Sequence, residues 1–147
     1  MAVSLTISIT QNSQNVGNNT SNVTVSATAK WTGGSYNLTG QCYGHLMIDG
    51  TRYDFSGITF NDKQYTTGSK TVMTRTVTVQ HNTNGTKTLK CTASFYTGVS
   101  SGTVGASASK TLTTIARKST LSVANGTLGT AQALTITKQS SSYTHTI

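Results

Sequence analysis

Between Thr71 and Thr97 the chain reads TVMTRTVTVQ, HNTNGT, KTLKCTASFYT. Two runs rich in Thr and Val flank a polar turn carrying Asn84-Gly85. Asn-Gly between alternating apolar residues is a strong local signal for a tight hairpin, because both residues accept positive φ. Met73, Val77 and Val79 share one parity, with Arg75 between them. Leu89, Cys91, Ala93 and Phe95 share another. The stretch predicts a long antiparallel hairpin with one face for a core and a solvated rim starting at Lys87 and Thr88.

The rest of the chain keeps the same period. Val3, Leu5, Ile7 and Ile9 alternate with Ser and Thr. QNSQNVGNNTSN follows as a polar loop, and Val23 to Trp31 alternates again. After Gly33-Gly34 comes a third run, Tyr36 to Ile48, whose glycines suggest a bend or bulge. Asp49-Gly50 signals a second tight hairpin into Arg52–Phe60. NDKQYTTGSK is loop, and GVSSG turns the chain into Val104–Leu112. About seven strands with frequent turns, and no helical spacing, predict an antiparallel β-sandwich of immunoglobulin or fibronectin type. Trp31 precedes both cysteines, whereas an immunoglobulin domain sets its Trp between them. We expect a sandwich domain over 1–115. Residues 116–147 then form a linker, Ala116–Thr120, and an incomplete second β unit with runs at Thr120–Val123, Ala133–Thr137 and from Tyr143.

Composition narrows the chemistry. Ser and Thr make about a third of the 147 residues, and the acids are Asp49, Asp54 and Asp62, with no Glu. A hydrolase needs paired acids or a nucleophile held by a base, and a small glycan hydrolase would have to use Asp49 with Asp54. His45, His81 and His145 are dispersed, and the two Cys and three His have no zinc spacing, so neither a metal nor a cofactor is implied. His81 lies where it can hydrogen-bond the Asn84-Gly85 turn. Cys42 and Cys91 read as structural residues: either a cross-sandwich disulfide or, given synthesis in a reducing compartment, two buried thiols. The net charge is +8, but its Lys and Arg are scattered, which fits solubility and edge protection better than a nucleic-acid patch or attraction to an acidic cell-surface polymer. No apolar run is long enough to cross a membrane, and no signal peptide opens the chain, so neither nucleic-acid binding nor membrane insertion is expected. The aromatic residues suggest a sugar-binding platform built from Trp31, Tyr36, Tyr43 and Tyr53, with Asp49 and Arg52 beside them. Alternation turns Tyr43 to the face opposite Cys42, and so outward.

Four stretches carry a family resemblance: QNVGNNTSNVTVSATAKW, YGHLMIDGTRYDF, VQHNTNGTKTLKCTASF and IARKSTLSVANGTLGTAQALTITKQSSSYTHTI. They resemble the minor structural proteins of siphophages, tail- or baseplate-associated proteins with repeated β-sandwich domains. The HN-x-NG-T-K-T-L piece is the most telling. The chain departs from them at Ala116, where a linker proline is expected. The resemblance implies a virion component of the tail tip, baseplate or fibre, made in the host cytoplasm and non-catalytic. It would act in assembly with other virion proteins and further copies of itself, or in attachment to host cell-wall polysaccharide.

Overall fold

The structure is a computed structural model describing residues 2–33, 38–60, 67–98, 101–117, 120–123 and 134–137. Its strands are β1 (Ala2–Asn15), β2 (Thr20–Thr32), β3 (Leu38–Ile48), β4 (Thr51–Phe60), β5 (Gly68–Gln80), β6 (Thr88–Tyr96), β7 (Thr103–Thr111), β8 (Thr120–Val123) and β9 (Leu134–Thr137). No helix occurs among the described residues. Strands β1-β2-β5 form one antiparallel sheet, β4-β3-β6-β7 form the other, and β8 pairs with β9 alone. The first seven strands make the β-sandwich that the alternation predicts, in the fibronectin-like split of three strands against four.

Alternation explains the packing. On β2, Val23, Val25, Ala27, Ala29 and Trp31 point into the sandwich, and Thr24, Ser26, Thr28 and Lys30 between them point out. Leu89, Cys91, Ala93 and Phe95 fill the core from β6, and Cys42, Leu46 and Ile48 fill it from β3. The chain's richness in Ser and Thr covers the outer face of the three-stranded sheet. There hydroxyls pair across strands: Thr24 with Thr76 at 2.8 Å, Ser26 with Thr74 at 2.8 Å and Thr28 with Thr71 at 3.3 Å. Such pairs satisfy polar groups within the sheet plane and stabilise the strand pairing.

Two expectations are corrected. The first is the hairpin at Asn84-Gly85. β5 pairs with β2, whereas β6 pairs with β3 and β7, so the two runs lie in opposite sheets. Residues 81–87 arch between the layers. A local turn does form at Asn84-Gly85: Thr86 N donates to Asn84 Oδ1 at 3.1 Å and Gly85 N to Asn82 O at 2.8 Å. It turns the arch rather than registering two strands. Asp49-Gly50 is a true two-residue hairpin, with Ile48 opposite Thr51 and φ of 50° and 84° at its central residues.

The second correction concerns Gln11–Asn15 and Thr20–Asn22, both read as loop and found as strand. A bulge between Gln11 and Ser13 lets the polar segment keep pairing with β2, and Asn12 Nδ2 donates to Asn22 Oδ1 at 2.8 Å. Amide side chains there replace the apolar alternation that would mark a strand in sequence.

The cysteines are both free and buried. Both face the core from the four-stranded sheet, but Cys91 lies opposite Ile48, six residues along β3 from Cys42. At about 3.3 Å per residue that is roughly 20 Å, far beyond disulfide reach. Burial pushes both thiols up, Cys91 to about 11 with further help from the nearby Asp49 carboxylate, while Lys70 partly opposes the rise at Cys42.

The arch is fixed by His81, 4% exposed. Its Nδ1 lies 2.8 Å from Gly85 O, and its Nε2 lies 2.7 Å from Ser21 Oγ. A carbonyl only accepts, so Nδ1 carries the hydrogen, and in the neutral ring Ser21 donates to Nε2. Asn19 Nδ2 adds bonds to the carbonyls of His81 and Asn82. Antibody-type domains hold the equivalent corner with a tyrosine; here a histidine does it. The segment after β7 then docks on the arch: Leu112 N donates to Lys87 O and Ile115 N to Gly85 O, both at 2.9 Å. Arg117 Nη1 reaches Val16 O at 2.7 Å.

Candidate functional site

Because β3, β4, β6 and β7 are in fixed register, their outward side chains fall into cross-strand rows. Tyr43 is opposite Tyr96, which is opposite Thr103. Next, Asp54 is opposite His45, which is opposite Ser94. Then Arg52 is opposite Met47. Of these, Tyr43, Tyr96, Thr103, Asp54, His45, Ser94 and Arg52 line an open groove of about 450 Å³ on the outer face of the four-stranded sheet. That volume lies within the ~300–1,000 Å³ range of small-ligand sites.

Two features give the groove its chemistry. Tyr43 is 54% exposed, and its ring stacks on that of Tyr96 with centroids 4.8 Å apart and planes 28° apart. An exposed aromatic of this size is unusual on a surface otherwise made of hydroxyls, and it offers a flat apolar platform. Beside it, Arg52 Nε and Asp54 Oδ1 form an ion pair at 2.8 Å. Both partners are largely exposed, so the pair adds little stability. It does hold a donor and an acceptor side by side at the surface.

Of the aromatic platform expected from sequence, Tyr43 and Arg52 meet in this groove. Trp31 does not; it is 7% exposed and belongs to the core at the far end of β2, opposite Gly68 of β5. Tyr53 faces the other way from Arg52. It packs against the core at the open edge of the sandwich, where the Arg75 guanidinium lies 4.8 Å from its ring centroid. Asp49 sits in the β3–β4 turn and pairs with Lys87 at 2.7 Å. Tyr36 lies outside the described residues. Asn84 and Gly85 belong to the arch, as structural residues. The two acids that a hydrolase would pair are engaged separately, Asp49 with Lys87 at the β3–β4 turn and Asp54 with Arg52 on β4.

Sequence reasoning missed Tyr96, His45 and Ser94. Alternation with the inward Phe95 marks Tyr96 as outward, but only the β3–β6 register sets it against Tyr43. Among the described residues, no three His, Cys, Asp or Glu side chains gather to hold a metal ion, and no helix is long and apolar enough to cross a membrane.

Comparison with curated proteins finds no match, and comparison with solved structures finds none. A family model described as "Siphovirus protein of unknown function (DUF859)" matches residues 2–147. The sandwich, its arch and its aromatic groove all fall within the matched span, and the chain belongs to this siphovirus protein family.

Proposed function

We propose that this chain is a non-catalytic virion module that attaches the phage to carbohydrate on the host surface, through the outer face of its four-stranded sheet. The observation that carries the reading is the exposed Tyr43–Tyr96 stack beside the Arg52–Asp54 pair. A sugar ring has an apolar face of C–H groups, which suits an aromatic platform, and an equator of hydroxyls, which suits adjacent donors and acceptors. Membership of a siphovirus protein family supports a phage role, and the resemblance to minor structural proteins supports a place in the tail tip, baseplate or fibre. In such a place many weak contacts add through multivalency, so a shallow groove suffices. Assembly with other virion proteins and further copies of the chain belongs to the same reading.

The test is co-sedimentation of the full chain with purified cell walls of the phage's host, for the wild type and for Tyr43→Ala. Wild-type binding that falls at least about fivefold in the variant is expected from loss of one stacking platform. Equal binding by both proteins, or none by either, would remove the groove as an attachment site.

A further inference from the structure

The +8 charge suggests an acidic surface polymer as the ligand, but the described cations do not converge on the groove. Lys70 Nζ donates to Thr59 O at 2.6 Å, clamping one open edge of the sandwich. Lys110 Nζ donates to Ile9 O at 3.0 Å, clamping the other. Arg117 is held on Val16 O, Lys87 on Asp49 and Arg75 over Tyr53. Each of these side chains is engaged with the scaffold, and Lys30 on β2 and Lys90, which points outward from β6, are not among the residues that line the groove. Within the groove, Arg52 and Asp54 contribute one positive and one negative fixed charge in contact with each other. A phosphate or carboxylate on the ligand would have to compete with Asp54 for Arg52 and would lie against a like charge.

We infer that the groove takes an uncharged polysaccharide and rejects a polyanion. The inference rests on the carbohydrate reading above and names the class of carbohydrate. One sugar ring stacks on Tyr43 and Tyr96. The neighbouring hydroxyls donate to the Asp54 carboxylate and accept from Arg52, which has five N–H donors and spends one on Asp54. His45 and Ser94, in the same row as Asp54, supply further polar contacts along the groove. The ion pair here is a hydrogen-bonding element for diols, strong because each partner bears a charge, and neutral as a unit.

The sign of one substitution separates the two ligand classes. Asp54→Asn removes the negative charge and keeps the shape. For an uncharged sugar it replaces a charge-assisted acceptor with a weaker one, and binding weakens by about three- to tenfold. For a polyanion it removes the repulsion, frees Arg52, and binding tightens. Asp54 is exposed, so the variant keeps the fold. The experiment is an amide-resolved NMR titration of the full chain and of Asp54→Asn. The probes are neutral tetrasaccharides of glucose, galactose, rhamnose and N-acetylglucosamine, and polyglycerol phosphate, each at about 20 and 300 mM NaCl.

The expected result is a shift of Tyr43, His45, Ser94 and Tyr96 with a neutral sugar, less than about twofold salt dependence, and weaker binding by the variant. If polyglycerol phosphate shifts the groove residues, with binding that weakens in salt and tightens in Asp54→Asn, the inference is overturned while the groove stands as the attachment site. If no probe shifts the groove, both the inference and the carbohydrate reading fall.

Discussion

Gly85 and Gly50 have the same backbone, with φ of 83° and 84°, in opposite surroundings, and replacing each with Ala separates two costs that usually arrive together. Both variants carry the penalty of a Cβ at positive φ, about 1 kcal/mol. At Gly50 the added Cβ meets nothing within 4 Å. At Gly85 it would lie 1.9 Å from Ile115 O, where contacts under 3.0 Å essentially never occur. The segment carrying Ile115 must therefore retreat by more than about 1 Å, which breaks the bond from Ile115 N to Gly85 O, worth ~1 kcal/mol. It also partly withdraws a fully buried Ile side chain, costing another ~1–3 kcal/mol. Gly50→Ala should thus lose about 1 kcal/mol and Gly85→Ala about 3–5 kcal/mol. Urea unfolding followed by tryptophan fluorescence measures both, with an unchanged slope showing that only stability moved. In thermal melts the two should differ by roughly 10 °C. Losses within 0.5 kcal/mol of each other would refute the docking of Ile115 on the arch as a source of stability.

Three further outcomes follow from the core and its edges. The native Cys91 thiol holds its proton up to about pH 11, whereas an unfolded thiol releases it near pH 8.5–9. The native state therefore binds more protons in that window, and its stability, intact below pH 8.5, falls as pH rises toward 11. The decline amounts to about 2–3 kcal/mol for Cys91; urea midpoints from pH 8 to 11 should show it, and Cys91→Ala should remove that share and leave the decline due to Cys42. Under mild oxidation no Cys42–Cys91 bridge forms, so thiol titration should give two equivalents only after denaturation; a protected, disulfide-linked peptide in mass spectrometry would contradict the register. A double-mutant cycle of Tyr53→Leu with Arg75→Met should give a coupling of about 0.5–1 kcal/mol from the cation–π contact at the sandwich edge, and a coupling near zero would show that the contact is idle.

The layer structure was legible because period-two alternation survives nearly everywhere that strands face a common core. Val23–Trp31, Leu89–Phe95 and Val104–Ala108 all keep their parity. Strand pairing was legible only where a turn was too short to allow anything else. Asp49-Gly50 leaves two residues and forces a hairpin. Asn84-Gly85 has the same local chemistry but sits in a longer polar stretch, and what sends that stretch across the sandwich is distant. His81 must find Ser21, and Gly85 must receive Ile115. No window of neighbouring residues contains those partners. The groove was half legible for the same reason. The parity of Tyr43 showed that it points outward, while its stacking partner Tyr96 lies 53 residues further on and is set by register alone. Trp31 misled, since an aromatic at the end of an alternating run can equally be a binding platform or the last residue of the core.

The docking of residues 112–117 also sets how the module bears tension. A pull transmitted through Arg117 does not reach the β6–β7 ladder first. It meets the Arg117–Val16, Ile115–Gly85 and Leu112–Lys87 bonds, which tie the exit segment to the β1–β2 turn and to the arch. These contacts form a latch that must let go before β7 can be peeled from its neighbour one bond at a time. Under the attachment role proposed above, a pull along the chain is loaded on this line, and the latch turns a force that would unzip a sheet edge into one shared among several bonds and a buried isoleucine.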